Sequence, residues 1–523
     1  MIGRRLAALA LASLTVVPLL YNARCSVDGQ DLVARLPGWR GWDDLAIALG
    51  HYVSGDYPVA AYQIANRFRR DQEDFLAFRG KLLEAVSRER LRAQQFWRTV
   101  DVSAFGPDPR TLARRWDDPG RALMLAFGFE LLRGVAPFLV SWLGVLFALP
   151  VLLWLGAELL AAGRPVAAFV LVALLVGSAF VVDLLMLGYA SAGFSLLTLL
   201  LALALSVYAF LRRPSPRGLL VRAAAVGCLL AWSALARSVS MLSLPGLLVA
   251  LAIAARRALP HGAPVARSAA LALAATGLLG MPSLALRALN DAWMEHTLTR
   301  LRIQRRPPQQ HDVWITLWQG LGDFDRTKGH AFLDKAGELE ARKHGSNERL
   351  SPLSEAIFRK LVFRDIREDP LWYAGILARR AWATLTLSKL LPRQAVDGRS
   401  FAAATHDAEG VTDGYYGMTL GADFVRWGRR TLEIPLPLIW LAPLGLGAAA
   451  FGRGPLAGEV RTAWGVLLCV ALAALPAPVL ITTASAFEAQ SFVVFHLCAA
   501  ALLAQACWNA LRRAAAARAG SRP

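Results

Sequence analysis

The sequence predicts an all-α, polytopic membrane bundle of about ten spans with two long segments on one side of the bilayer. Three observations predict it. Apolar residues make up 56% of the 523-residue chain. They gather in blocks of roughly 20, the length a helix needs to cross about 30 Å of hydrocarbon. The short connections between blocks alternate between Arg-rich and Arg-poor. The two long segments, 23–134 and 288–433, carry apolar residues at helical spacing among many charges, the pattern of amphipathic helices.

The first block, 1–22, has a basic start and an apolar core like a signal peptide. No convincing small-residue cleavage site follows it, which predicts an uncleaved signal anchor. The segment 23–134 opens with an acidic pair in "GWDDLAIALG" and continues through 58–98, where apolar residues recur among Arg, Asp and Glu. That stretch, and "RALMLAFGFELLRGV" after it, read as helices lying on a membrane surface. Six spans follow within 135–287, near 135–160, 164–188, 191–211, 218–236, 239–255 and 267–287. The second long segment, 288–433, is expected to be mostly helical, with one helix at 354–368, a break at Pro370 and another through "WYAGILARRAWATLTLSKLL". Three C-terminal spans occupy 434–511, near 434–452, 462–482 and 490–510, and a basic tail covers 512–523.

Charge sets the orientation. "MIGRR", "AGRP", "LRRPSPR", "ARRALPHGAPVAR", "GRGPLAGEVR" and the tail are basic, whereas "GYASAG" and "SAFEAQ" carry no Lys or Arg and "LARSVS" carries a single Arg. The positive-inside rule then places both termini and the basic connections in the cytoplasm and the two long segments outside. The formal charge of +19 follows from that rule and from contacts with anionic lipid. No basic cluster with interleaved aromatics lies on a soluble face, so nucleic acid is not an expected partner. The five cysteines show no pairing pattern and no CxxC, which predicts neither a disulfide framework nor a zinc site.

Several polar residues carry candidate chemistry. Asp43 and Asp44 follow the first span and precede a Gly-Asp-Tyr-Pro turn. They cap the helix "DLAIALGHYV", or one of them serves as a reacting carboxylate. On a helix the two side chains diverge by about 100°, so they need not share a proton. His51 lies two turns beyond Asp43. Arg237 sits near the outer end between two apolar helices, where a charge is either paired, functional or snorkelled, and Asp183 is a potential partner inside the bundle. Asp323 and Asp325 have a metal-chelating spacing without the strand context that usually accompanies it, which favours a turn. His311 and Trp314 in "HDVWITLW", and Glu488 and Gln490 in "SAFEAQ", would line the same outer cavity if the bundle closes around it; Trp314 also fits a core aromatic. His496, inside the last span, reads as a hydrogen-bonded bundle residue.

The order of parts, a first span, an outer segment with an early acidic pair, a multi-span bundle and a second outer segment, resembles the GT-C superfamily of integral-membrane glycosyltransferases. "WDDLAIALGHYVSGDYP" is similar to the acidic pair, aromatic-rich helix and Gly turn of that family. "VGCLLAWSALARSVSMLSLPGLLVALAIAARR" looks like its paired helices joined by a segment with a Lys or Arg, and "DPLWYAGILARRAWATL" like a Pro-aromatic-Arg helix late in its second outer segment. The His-Pro-Pro segment of many bacterial members is absent; "WDDPGRALML" keeps only an Asp-Pro-Gly turn.

The resemblance implies a bacterial inner-membrane enzyme that moves a sugar from a polyprenyl-phosphate donor to an envelope glycan, lipid or protein on the periplasmic side. Asp43 takes the place of the catalytic base, and Asp44 that of a group orienting the acceptor or binding a divalent cation, Mg or Mn. Arg237 takes the place of the phosphate-binding cation, with His51, His311, Trp314, Glu488 and Gln490 as substrate contacts. The rival classes are a lipid-carrier transporter, which would show inverted repeats and ionisable residues at mid-bilayer, and a GT-C-derived scaffold without activity.

Overall fold

The structure is a computed structural model. It describes residues 2–26, 38–55, 60, 119–136, 138–186, 192–300, 313–322, 328–330, 334–346, 351–386, 421–427, 430–435, 440–451, 457–481 and 491–520. Its elements run α1 (Ile2–Ser26), α2 (Gly38–Ser54), α3 (Gly120–Leu132), α4 (Leu139–Ala161), α5 (Pro165–Gly177), α6 (Ala179–Met186), α7 (Ala192–Leu211) and α8 (Pro216–Ala236). After a 3-10 turn (Ser238–Ser243) come α9 (Leu244–Arg257) and α10 (Val265–Arg300), then α11 (Val313–Gly320), α12 (Asp334–Lys343), α13 (Pro352–Glu368) and α14 (Pro370–Leu385). The chain continues through β1 (Gly421–Trp427), β2 (Arg430–Pro435), α15 (Leu441–Phe451), α16 (Ala457–Ala474), a π-helical turn (Ala477–Ile481) and α17 (Val493–Gly520).

Among the described residues eight helices are long and apolar enough to cross a membrane, in α1, α4, α7, α8, α9 with its preceding turn, α10, α16 and α17. The chain is a helical membrane bundle. The other two expected spans fall on shorter apolar helices, Pro165–Gly177 and Leu441–Phe451. The block at 164–188 is not one helix. It breaks at Ser178, whose backbone turns extended (ψ 116°) before α6 restarts. The architecture is helical as expected, and at 421–435 β1 and β2 add a short antiparallel hairpin, from Gly421 opposite Pro435 to Trp427 opposite Arg430. Phe424, Val425, Trp427, Thr431 and Ile434 are the residue types that favour this extended backbone.

α7 is the hub, packing on α4, α8, α9 and α16. The apolar window of α7 is 89% buried, against 17% for α10, which forms an outer wall of the bundle. Without a hydrophobic driving force between helices in lipid, close approach depends on small residues. Gly227 of α8 is such a point, since a Cβ there would sit 2.6 Å from the Leu278 carbonyl oxygen of α10.

The basic connections gather at one end. Glu459 accepts from Arg164 (3.1 Å), Asn509 (2.8 Å) and Arg513 (2.7 Å), tying three of them together. Buried Glu158 accepts from Trp154 (2.9 Å), Arg212 (2.8 Å) and Arg222 (2.7 Å). Arg257 donates to the carbonyls of Ala209 and Phe210. At the far end Asn22 of α1 donates to Val176 of α5, so α1 runs parallel to α5 and its start lies at the basic end.

A smaller helical unit, α11 to α14, has its own core of Ile315, Trp318, Leu321, Phe358, Leu361 and Ile376. The expected helix, break and helix are present. Ser351 caps α13 by accepting from the Ser354 N–H, Asp369 caps α14 by accepting from the Trp372 N–H, and each is followed by proline at the first helical position. Arg380, fully buried in α14, donates to the Val479 and Leu480 carbonyls of the π-helical turn and so fastens this unit to the bundle.

Candidate functional site

Four elements meet at the end of α8 farthest from the basic connections. α2 begins at Gly38, so Asp43 and Asp44 lie in its second turn. The N-cap reading of the pair is thereby corrected, because the helix is already formed when the chain reaches them. Leu45 to Leu49 are buried, which seats this helix against α3.

Asp44 faces Arg121, with Nη1 to Oδ2 at 3.3 Å and the arginine side chain only 3% exposed. Arg121 was expected on a surface helix. Instead the first two turns of α3, Gly120 to Ala126, are wholly buried, because α3 packs into the junction of α2, α4 and α8. Gly120 makes that possible: a Cβ there would lie 2.5 Å from Ala236 N and 2.6 Å from Leu235 C. Burying Arg121 and Asp44 together is tolerable because each compensates the other's lost hydration.

Arg237 follows the last residue of α8. Its backbone is extended (φ −154°, ψ 99°), its N–H donates to the Ser233 carbonyl at 2.8 Å, and its side chain is half-buried. The close approach of Gly120 to Ala236 therefore places the Asp44–Arg121 pair and Arg237 on one junction. His51, two turns beyond the aspartates, meets Trp293 of α10 edge-on at 5.9 Å, and Tyr52 packs on Phe129 of α3. The backbone of Asp43 belongs to α2; its side chain lies outside the described residues, as does that of Asp183.

The remaining expected contacts are elsewhere or undescribed. Trp314 packs on Phe363 at 5.1 Å in the core of α11 and α13, within the smaller helical unit. His311, Asp323, Asp325, Glu488 and Gln490 lie outside the described residues. His496 is buried, with Nε2 3.2 Å from the Leu385 carbonyl oxygen and aromatic edges of Trp440 and Phe492 around it. Asp44 is turned to Arg121, and among the described residues no three His, Cys, Asp or Glu side chains converge.

Sequence reasoning missed Arg121 and Trp293. A basic residue opening the apolar run "GRALML" was the available signal for the first; nothing local marks the second. It also missed His330, 2% exposed between Trp318 and Trp372, with Nε2 3.0 Å from Asp365 Oδ2. Burial lowers the His330 pKa below its usual value, partly opposed by Asp365. No protein-family model matches the sequence, and no curated protein or solved structure matches it significantly.

Proposed function

We propose that the protein is a GT-C-type membrane glycosyltransferase, carrying a sugar from a polyprenyl-phosphate donor to a cell-envelope acceptor at the periplasmic face of a bacterial inner membrane. The observation that supports it is one junction. The α2 helix bearing Asp43 and Asp44, the buried Arg121 and the half-buried Arg237 all meet at the end of α8, opposite the basic connections. In this reading the basic connections are cytoplasmic, and the junction faces the leaflet in which the donor is presented.

Glycosyl transfer needs a base at the acceptor and charge support at the leaving phosphate. The Asp43 carboxylate removes the proton of the acceptor hydroxyl or amide as its heteroatom bonds to the anomeric carbon. The bond from that carbon to the phosphate oxygen breaks, and polyprenyl phosphate departs with the electron pair. Arg237 stabilises the departing charge. Asp44, held by Arg121, fixes the turn of α2 that presents Asp43, so Asp44 and Arg121 act as positioning residues. His51, braced on Trp293, borders the acceptor side.

Asp43→Asn removes the base while nearly keeping its shape. Measured in membranes at equal protein level with labelled donor, it is expected to lower transfer at least 100-fold, the order of a lost general base. Transfer at the wild-type rate would remove Asp43 from the mechanism. Envelope function retained by an inactive Asp43→Asn protein would favour a scaffold, and lipid transport unaffected by the change would favour a carrier.

A further inference from the structure

The amphipathic character of α14 is reversed for a helix in water. Its inward arc holds Ile376, Arg380, Ala383 and Thr384, so the charge of Arg380 is fully buried. Its opposite arc is exposed and apolar. Leu371 (83% exposed), Ala374, Gly375, Ala378 and Trp382 (68% exposed) recur at helical spacing, which lays them on one stripe about 16 Å long. Arg379 is exposed at the border of that stripe. The preceding helix, α13, has the ordinary arrangement and turns Arg359, Lys360, Arg364 and Arg367 outward. A contiguous apolar face of the kind on α14 marks an interaction surface.

The bundle fixes the level of this face. Arg380 donates to the Val479 and Leu480 carbonyls, and the carbonyl oxygen of Leu385, the last residue of α14, lies 3.2 Å from His496 Nε2. Glu459 of α16 and Arg513 of α17 meet at the basic end. From there Val479 lies 20 residues beyond Glu459, and His496 lies 17 residues back along α17 from Arg513. At helical rise those distances are about 30 and 26 Å, against about 30 Å of hydrocarbon. The C-terminal half of α14 is therefore held at the level of the leaflet opposite the basic connections. The outer surface of the bundle meets lipid at that level, so the outward face of α14 continues the lipid-facing surface of the spans. Its residue types suit the position. Tryptophan is favoured at a membrane interface, and an arginine beside it extends its charge to the headgroups while its stem stays among apolar groups.

We infer that α14 is an interfacial helix whose outward stripe, Leu371 to Trp382, lies in the phospholipid leaflet opposite the basic connections, with Arg379 on a headgroup phosphate. The α11–α14 unit is then held from two sides, by the bundle through Arg380 and by the bilayer through Leu371 and Trp382. The surface role that the sequence suggested for α3, which is buried in the bundle, falls to α14 instead. The inference needs only the bilayer and stands whatever reaction the protein performs.

The test is photolabelling of the full chain in nanodiscs of phosphatidylethanolamine and phosphatidylglycerol. A diazirine-bearing phenylalanine replaces Leu371 or Trp382, both exposed, so that neither change disturbs the packed core. After illumination the carbene inserts into whatever touches it, and mass spectrometry distinguishes a lipid adduct, a water adduct and a cross-link within the chain. Leu273 on the exposed side of α10 serves as the lipid reference, and Lys343, 70% exposed on the polar helix α12, as the water reference. At both test positions lipid adducts should exceed water adducts about tenfold, as immersion of the face in acyl chains requires. Arg379→Gln should cut the share of phosphatidylglycerol among the Trp382-site adducts by about half, because it removes the charge that attracts an anionic headgroup. Predominant water adducts at either position would mean that the stripe lines an aqueous space, and predominant cross-links within the chain would mean that another segment covers it. Either result would overturn the inference, and an unchanged phosphatidylglycerol share in Arg379→Gln would overturn the headgroup contact.

Discussion

The two ends of the bundle handle buried charge in opposite ways. At the basic end Glu158 and Glu459 are each ringed by two arginines and at least one neutral donor, at 2.7–3.1 Å. Their lone pairs are used, and the clusters tie separate helices together. At the other end Asp44 of α2 meets Arg121 of α3 at 3.3 Å, with the arginine side chain only 3% exposed. In the proposed glycosyltransferase, the first end serves stability and the second the chemistry.

The strongest way to break this comparison is to remove one charge from each end. Arg121→Ala strands a partly buried carboxylate, which costs about 3–5 kcal/mol and releases the turn of α2 that carries Asp43. Both the thermal midpoint and transfer should fall steeply. Glu158→Gln loses charge-assisted bonds worth about 1.5–3 kcal/mol, but Arg212 and Arg222 are 31% and 22% exposed and reach headgroups or water. Its melting temperature should drop while transfer per folded molecule is unchanged. Equal loss of transfer in the two variants would erase the distinction.

A sharper version uses glycine. Gly120→Ala pushes a methyl into the Ala236 backbone, and overpacking of this kind costs about 1–3 kcal/mol. Gly277→Ala, on α10 with nothing within 4 Å, should be neutral within about 0.5 kcal/mol. Transfer should fall with the first and stay level with the second, measured at matched expression.

These positions show what the chain made legible. The apolar blocks and the alternation of "AGRP", "LRRPSPR" and "GRGPLAGEVR" with Arg-poor turns revealed the helices and the basic end, because hydrophobicity and charge are local properties. The helix at 354–368 and the break at Pro370 were legible for the same reason. The hairpin at 421–435, the break at Ser178 and the burial of α3 depend on what packs beside them. The aspartates of α2 were legible as a pair, but their neighbour Arg121 lies 77 residues on from Asp44, and Trp293 lies 242 on from His51. No local spacing encodes such a meeting.

The smallest expected effect concerns the α11–α14 unit. Burial holds His330 neutral, with a pKa below the usual 6.5, against the opposing charge of Asp365; Lys328 adds to the lowering and Glu340 opposes it. The unfolded chain therefore binds more protons just below pH 6.5, and stability rises with pH across that window and levels off above it. Hydrogen exchange across 313–376 should show less protection at pH 5.5 than at pH 7.5, after correction for intrinsic rates. His330→Gln should flatten the dependence. Equal protection at both pH values in the wild type would mean that His330 is not held neutral.

The central claim is that the end carrying α2 consumes a lipid-phosphate sugar. The direct measurement is release of polyprenyl phosphate from a polyprenyl-phosphate hexose by the full chain in nanodiscs supplied with an envelope acceptor extract. The account predicts polyprenyl phosphate and transferred sugar in equal amounts, with Asp43→Asn at the level of protein-free discs. No release above protein-free discs by the wild type, or equal release by Asp43→Asn, would contradict it.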